Sequence, residues 1–100
     1  WLKDDYVKPV VDNDYYDVYH IFAVRHPKRD QLRDFLLNHA IKTEIHYPVA
    51  PNKQNAMKWT LDDQDTPIAQ AIHDTILSLP ISYFHTTDDV LKVIEIMNKF

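Results

Sequence analysis

No glycine occurs in this 100-residue chain, although an average protein contains about 7%. A glycine-rich phosphate loop is thereby excluded, because such a loop needs backbone free of Cβ atoms. Cysteine is also absent, which removes disulfides, a thiolate nucleophile and thiolate metal ligation. That usage suits a cytoplasmic protein. Apolar runs last only a few residues, far below the roughly 20 that span a bilayer. No basic segment leads into an apolar stretch at the start, so no signal peptide and no membrane association are expected. Eleven Lys and Arg are scattered among fifteen Asp and Glu, for a net charge of −4. Nucleic-acid binding ordinarily shows a basic stripe, and none is visible. The chain opens on Trp1 rather than Met, which predicts a piece of something longer.

What is present is an ordinary globular composition, 45% hydrophobic and 26% charged. One hundred residues make one domain, which buries roughly two-thirds of its unfolded surface. Residues 1–16 show no sustained period and are punctuated by Pro9 and by Asp12-Asn13-Asp14. They read as a lead-in arm, with 17–100 as the domain proper. Asp17 to Arg25 is rich in β-branched and aromatic residues on both faces, which predicts a covered central strand. His26-Pro27 predicts a helix start, since proline loses nothing at the first helical position. Leu32, Phe35 and Leu36 form the buried stripe of that helix, which ends near His39-Ala40. Lys42 to Tyr47 alternates, with Thr43, Ile45 and Tyr47 on one face and Lys42, Glu44 and His46 on the other. Asn52 to Trp59 suits a short helix, and 61–65 an acidic loop. Thr66-Pro67 starts a second helix with an apolar face of Ile68, Ala69, Ala71 and Ile72. Ile76 to Leu79 is a short strand stopped by Pro80. Thr86-Thr87-Asp88-Asp89 caps a last helix whose stripe is Val90, Val93, Ile94, Met97 and Phe100. The fold class expected from this order is α+β, a small antiparallel or mixed sheet with helices packed on one side.

The stretch Asn38 to Pro51, NHAIKTEIHYPVAP, is followed by Leu77-Ser78-Leu79-Pro80-Ile81 and then by the capped helix. Helix end, I-x-T-x-x-H-Y-P, L-S-L-P-I and final helix, in that order, resemble the C-terminal portion of the DegT/StrS family. The resemblance covers about residues 17–100. It implies the small C-terminal domain of a fold-type I pyridoxal-phosphate (PLP) enzyme. The parent would move an amino group, usually from glutamate, onto a keto group of a nucleotide-linked deoxyhexose. By that resemblance, His-Tyr-Pro with the later proline looks closer to members making 3-amino sugars. A missing N-terminal large domain and a homodimer of the parent are implied partners, with the nucleotide-sugar substrate and amino-acid donor as ligands. Two departures stand out. The family pattern has glycine where this chain has Ala40, so Asn38 or His39 takes the turn or the helix ends by another route. A second histidine commonly follows H-Y-P-x-x-P, where this chain has Asn52, which cannot exchange a proton at neutral pH.

Aminotransfer needs a desolvated lysine that forms a Schiff base with PLP, a carboxylate on the pyridinium nitrogen and a phosphate cradle. None of the eight lysines stands in a buried setting, so the segment alone is expected to be inactive and to bind no cofactor. It is expected to supply one wall of the substrate cleft. From spacing alone, His46 reads as a solvated strand residue and Tyr47 as core. The resemblance turns both toward substrate, where histidine and tyrosine can hydrogen-bond a sugar or phosphate. Asn52 and His20 complete the substrate-binding candidates, although a lone histidine on an apolar strand is more often a hydrogen-bonded core residue. His20, His26, His39, His46, His73 and His85 lack the close pairings of zinc motifs, so no metal site is expected. A rival reading is a stand-alone, non-enzymatic α+β module that binds a ligand or protein. Exposed apolar surface separates the two, because a domain that sits against a partner shows a patch where the partner belongs. Trp1, Leu2, Tyr15 and Tyr16 are candidates for it.

Overall fold

The structure, a computed structural model, describes residues 1–61 and 64–100. Asp62 and Asp63, in the expected acidic loop, lie outside the described residues. Two short strands, β1 (Phe22–Arg25) and β2 (Ile76–Leu79), pair antiparallel with Phe22 opposite Leu79 and Arg25 opposite Ile76. Among the described residues three helices accompany them: α1 (Arg29–Asn38), α2 (Pro67–Thr75) and α3 (Thr87–Met97). The α+β class is as expected. Single-residue antiparallel bridges extend the ladder on both sides, Val7 with Arg25 and Glu44 with Ser78. β1 is therefore interior, but it has four residues rather than the nine expected. Asp17 is the reason: its Oδ1 accepts from the Tyr19 N–H at 2.8 Å and Tyr19 takes φ 48°. Such a side-chain turn competes with strand pairing.

The predicted strand at Lys42–Tyr47 shrinks to the Glu44 bridge. Its alternation survives in burial, with Thr43 and Ile45 half-buried and Lys42, Glu44 and His46 exposed. Tyr47 departs from it. The ring lies out in solvent, 68% exposed, and the peptide joining it to His46 is cis. Asn52 to Trp59 holds two single 3-10 turns, Pro51–Lys53 and Asn55–Met57, in place of one helix.

α1 begins at Arg29, two residues after Pro27. His26 explains the delay, because its Nδ1 accepts from the Lys28 N–H at 3.0 Å and holds 27–28 in a turn. The helix ends without glycine. Ala40 itself takes the left-handed backbone, φ 61°. Its N–H donates to the Leu37 carbonyl at 2.9 Å, and the Ile41 N–H to the Leu36 carbonyl at 2.9 Å. That is the paired-bond ending of a Schellman motif, with Ile41 and Leu36 both buried beneath it. α3 opens with a full capping box. The Asp89 N–H donates to Thr86 Oγ1 at 3.2 Å, and the Thr86 N–H returns a bond to Asp89 Oδ2 at 2.8 Å. These bonds from Thr86 hold the Asp89 carboxyl below its ordinary range.

The core joins β1, β2, α1 and α3 through Val24, Leu77, Leu32, Leu36 and Met97. Tyr6, inside the expected lead-in arm, is also in it at 3% exposed. Its hydroxyl donates to the Met97 carbonyl at 2.6 Å. Burial, with Asp5 nearby, pushes the phenol pKa up. His26 is buried between Tyr6 and Phe100, with ring centroids at 5.2 and 5.3 Å. Burial pushes its pKa down, Lys28 adds to that, and Asp5 opposes it. Asn98 holds the first residues, accepting from the Lys3 N–H at 3.0 Å and donating to the Trp1 carbonyl at 2.9 Å.

α2 is different. The Arg29 guanidinium donates to the His73 and Ile76 carbonyls at its C-terminal end, at 3.2 and 3.0 Å. Its apolar face of Ile68, Ala69, Ala71 and Ile72 nevertheless stays exposed. Trp1, Tyr15 and Tyr16 are exposed as well, while Leu2 folds against the core. The chain's surface is 7936 Å², against roughly 6,000 Å² for a folded monomer of this mass.

Candidate functional site

The extended segment after α1 and the end of β2 run side by side because Glu44 and Ser78 exchange backbone bonds at 3.1 and 2.8 Å. Together with the chain entering β1 they enclose a cleft of about 310 Å³. His20 and Ile21 come from that entering chain, Thr43 and His46 from the extended segment, and Ser78 and Pro80 from β2 and its exit. Two of the four predicted substrate residues, His20 and His46, therefore meet in one cleft although 26 positions apart in sequence. His20 is exposed rather than a core histidine.

His46 is held by its Nδ1, 2.9 Å from Ser78 Oγ. Lys42 and Glu44, 3.6 Å apart at the rim, largely cancel one another's charge. The Thr43 hydroxyl is buried and finds no hydrogen-bond partner among the described residues. The cleft is lined mainly by apolar surface, with one held imidazole that can hydrogen-bond a ligand oxygen. Among the described residues no three His, Asp or Glu side chains gather where they would hold an ion.

Tyr47 is placed elsewhere. Its ring stands at 88° to that of His46, centroids 5.4 Å apart, and lines a second, more open cleft of about 590 Å³ with Val49, Lys53 and Gln54. His46 and Tyr47 are consecutive, so one turn feeds both clefts. Asn52 lines neither; it is half-buried in the first 3-10 turn. Sequence reasoning missed Ser78 and Thr43. Ser78 lay inside the quoted L-S-L-P-I motif, but only the strand register brings it to His46. All eight lysines are exposed. Among the described residues no helix is long and apolar enough to cross a membrane.

Comparison with known proteins places these features in context. The profile of the DegT/DnrJ/EryC1/StrS aminotransferase family matches residues 3–98. The chain is 37% identical, over 101 aligned positions, to the dTDP-3-amino-3,6-dideoxy-alpha-D-galactopyranose transaminase of Aneurinibacillus thermoaerophilus, covering 99% of this chain and 27% of that protein. It is 32% identical to the dTDP-3-amino-3,4,6-trideoxy-alpha-D-glucose transaminase of Streptomyces venezuelae, covering 92% of this chain and 24% of the relative. The crystal structure of S. venezuelae DesV in complex with a ketimine intermediate superposes with a TM-score of 0.89 at 31% identity, over 95% of this chain and 26% of DesV. The chain thus spans about a quarter of the length of the relatives it matches.

Proposed function

Because the chain belongs to the DegT/DnrJ/EryC1/StrS aminotransferase family, we propose that it is the C-terminal small domain, 17–100 with a lead-in arm at 1–16, of a PLP-dependent aminotransferase. The parent moves an amino group from an amino-acid donor such as glutamate to a keto group of a nucleotide-linked deoxyhexose. Both curated relatives are named for 3-amino sugars, which favours C3 as the carbon aminated. The observation that carries the reading is the convergence of His20 and His46 in one cleft, on a chain that matches the family almost end to end.

In this reading the cofactor is held outside the segment. PLP supplies the electron sink for amino transfer, and the exposure of all eight lysines argues that its Schiff-base partner lies in the large domain. What these residues do is bind and orient. His46 donates or accepts a hydrogen bond in the first cleft, His20 contributes from the entering chain, and Tyr47 presents a ring and hydroxyl to the substrate on the other side of the turn. Asn52 sits one turn further along and acts through the shape of that loop. The large domain covers the apolar face of α2 and the exposed aromatics of the arm, which accounts for a surface about a third larger than a free-standing domain of this mass exposes. The same exposed face disfavours a stand-alone module. The parent works as a cytoplasmic homodimer.

The test is made on the full-length parent. With PLP, glutamate and a dTDP-linked 3-keto-6-deoxyhexose, it should form the 3-amino sugar, detected by mass. His46→Ala should retain the cofactor's absorbance and raise KM for the sugar at least tenfold. No amino sugar from a PLP-loaded wild type sinks the activity; an unchanged KM in His46→Ala sinks the cleft assignment alone.

A further inference from the structure

Ser78 lies in β2 across from Glu44 and is 4% exposed. Its hydroxyl has one hydrogen-bond partner among the described residues, Nδ1 of His46 at 2.9 Å. Two arrangements of protons fit that distance. If the imidazole donates from Nδ1, the Ser78 proton is left buried without an acceptor, having given up its hydration for nothing. If Ser78 donates, Nδ1 accepts and both groups are satisfied. We infer that Ser78 donates to Nδ1 of His46 and so fixes this histidine as the tautomer that carries its proton on Nε2.

The consequence concerns the ligand, and to that extent it rests on the substrate-cleft reading. A histidine in this state offers the cleft a donor and not a base. It selects an acceptor oxygen, as in a carbonyl, carboxylate or phosphate, over an ammonium or other donor group. Ser78 is a positioning residue here. Through its bond to Nδ1 it sets which face of its chemistry His46 shows.

The experiment is nitrogen-15 NMR of the His46 ring nitrogens in the histidine-labelled full-length parent, assigned by difference against His46→Gln, at about pH 8, above the ordinary histidine range. A single tautomer should appear, with Nδ1 in the unprotonated, pyridine-type range and Nε2 in the protonated, pyrrole-type range. In Ser78→Ala the separation between the two signals should shrink toward that of a freely exchanging imidazole, and Ser78→Thr, which keeps a hydroxyl, should restore it. A merely structural serine would move neither signal in this pattern. A proton found on Nδ1 in the wild type overturns the inference, and so does a separation that Ser78→Ala leaves unchanged. These signals are read without substrate, so loss of sugar binding bears on the cleft assignment and leaves the tautomer standing.

Discussion

Replacing Ala40 with glycine should make the fold more stable. Ala40 closes α1 at φ 61°, a conformation that costs an L-residue roughly 1–2 kcal/mol through the clash of its Cβ with the following carbonyl. Glycine removes that clash and keeps both backbone bonds of the helix ending. The methyl group is exposed, so its loss opens no cavity. Against this gain stands the greater freedom of glycine in the unfolded chain, about 0.4–1 kcal/mol. The balance is a stabilisation of about 0.5–1 kcal/mol, which at this length is a rise in Tm of about 2–8 °C. Urea titration followed by circular dichroism reads it as a higher midpoint at constant slope, since the surface exposed on unfolding is unchanged. Ala40→Val sharpens the comparison, because a β-branched residue tolerates positive φ worst, and it should lower the midpoint. A glycine variant equal to or less stable than the wild type would refute the reasoning, and with it the left-handed ending of α1.

Tyr6→Phe keeps the ring in the core and removes the donor to the Met97 carbonyl; denaturation should show a loss of about 1 kcal/mol. Because the folded phenol is raised above its ordinary pKa, the contribution is present below about pH 10 and is lost as pH rises toward the folded value, a slope that the Phe variant should lack. His26 is lowered in the folded state, so its contribution is complete above about pH 6.5 and declines as pH falls toward the folded value. His26→Asn retains an acceptor for the Lys28 N–H but cannot take up a proton. It should be less stable near neutrality, for want of ring packing, and flatter in its stability between about pH 7.5 and 5.5; an unchanged slope would contradict the burial argument. Thr86→Ala removes the hydroxyl cap of α3 and should cost about 1 kcal/mol. As the Asp89 carboxyl is lowered by its bonds to Thr86, its support is present above the ordinary carboxylate range and is lost as pH falls through the lowered value. That acid slope should diminish in the Thr86→Ala variant.

The elements written in local chemistry were legible. Thr86 with Asp89 marked the start of α3, Pro67 that of α2, and the apolar run before Pro80 gave β2 with its observed ends. The α+β class followed from their order. Elements decided by distant partners were not legible. Asp17 shortens β1 by a side-chain turn that looks, in sequence, like any acid before a strand. Lys42 to Tyr47 alternates as a strand does, yet only Glu44 finds a partner. Tyr6 sits in an aperiodic arm, and nothing near it announces that its partner is Met97. The site divides the same way. His46 was visible from its motif and its proline-fixed turn, while the serine that holds it is 32 residues away and is brought there by register alone. Tyr47 leaves the face that alternation assigns it, and Asn52 is separated from the cleft by the turn it helps to form.

The bonds from Tyr6 to Met97 and from Asn98 back to Trp1 and Lys3 span 91, 97 and 95 positions. During translation the segment's earliest residues therefore wait for its latest. Until Met97 to Phe100 leave the ribosome, Tyr6 has no acceptor and His26 lacks one of its two aromatic neighbours. Closing so long a loop costs only slightly more entropy than closing one half its length, but contacts this remote form slowly. The segment consequently completes its core only after synthesis of all its parts. A ribosome stalled shortly before Met97 would hold a chain whose two paired strands are both present and whose interior is still open.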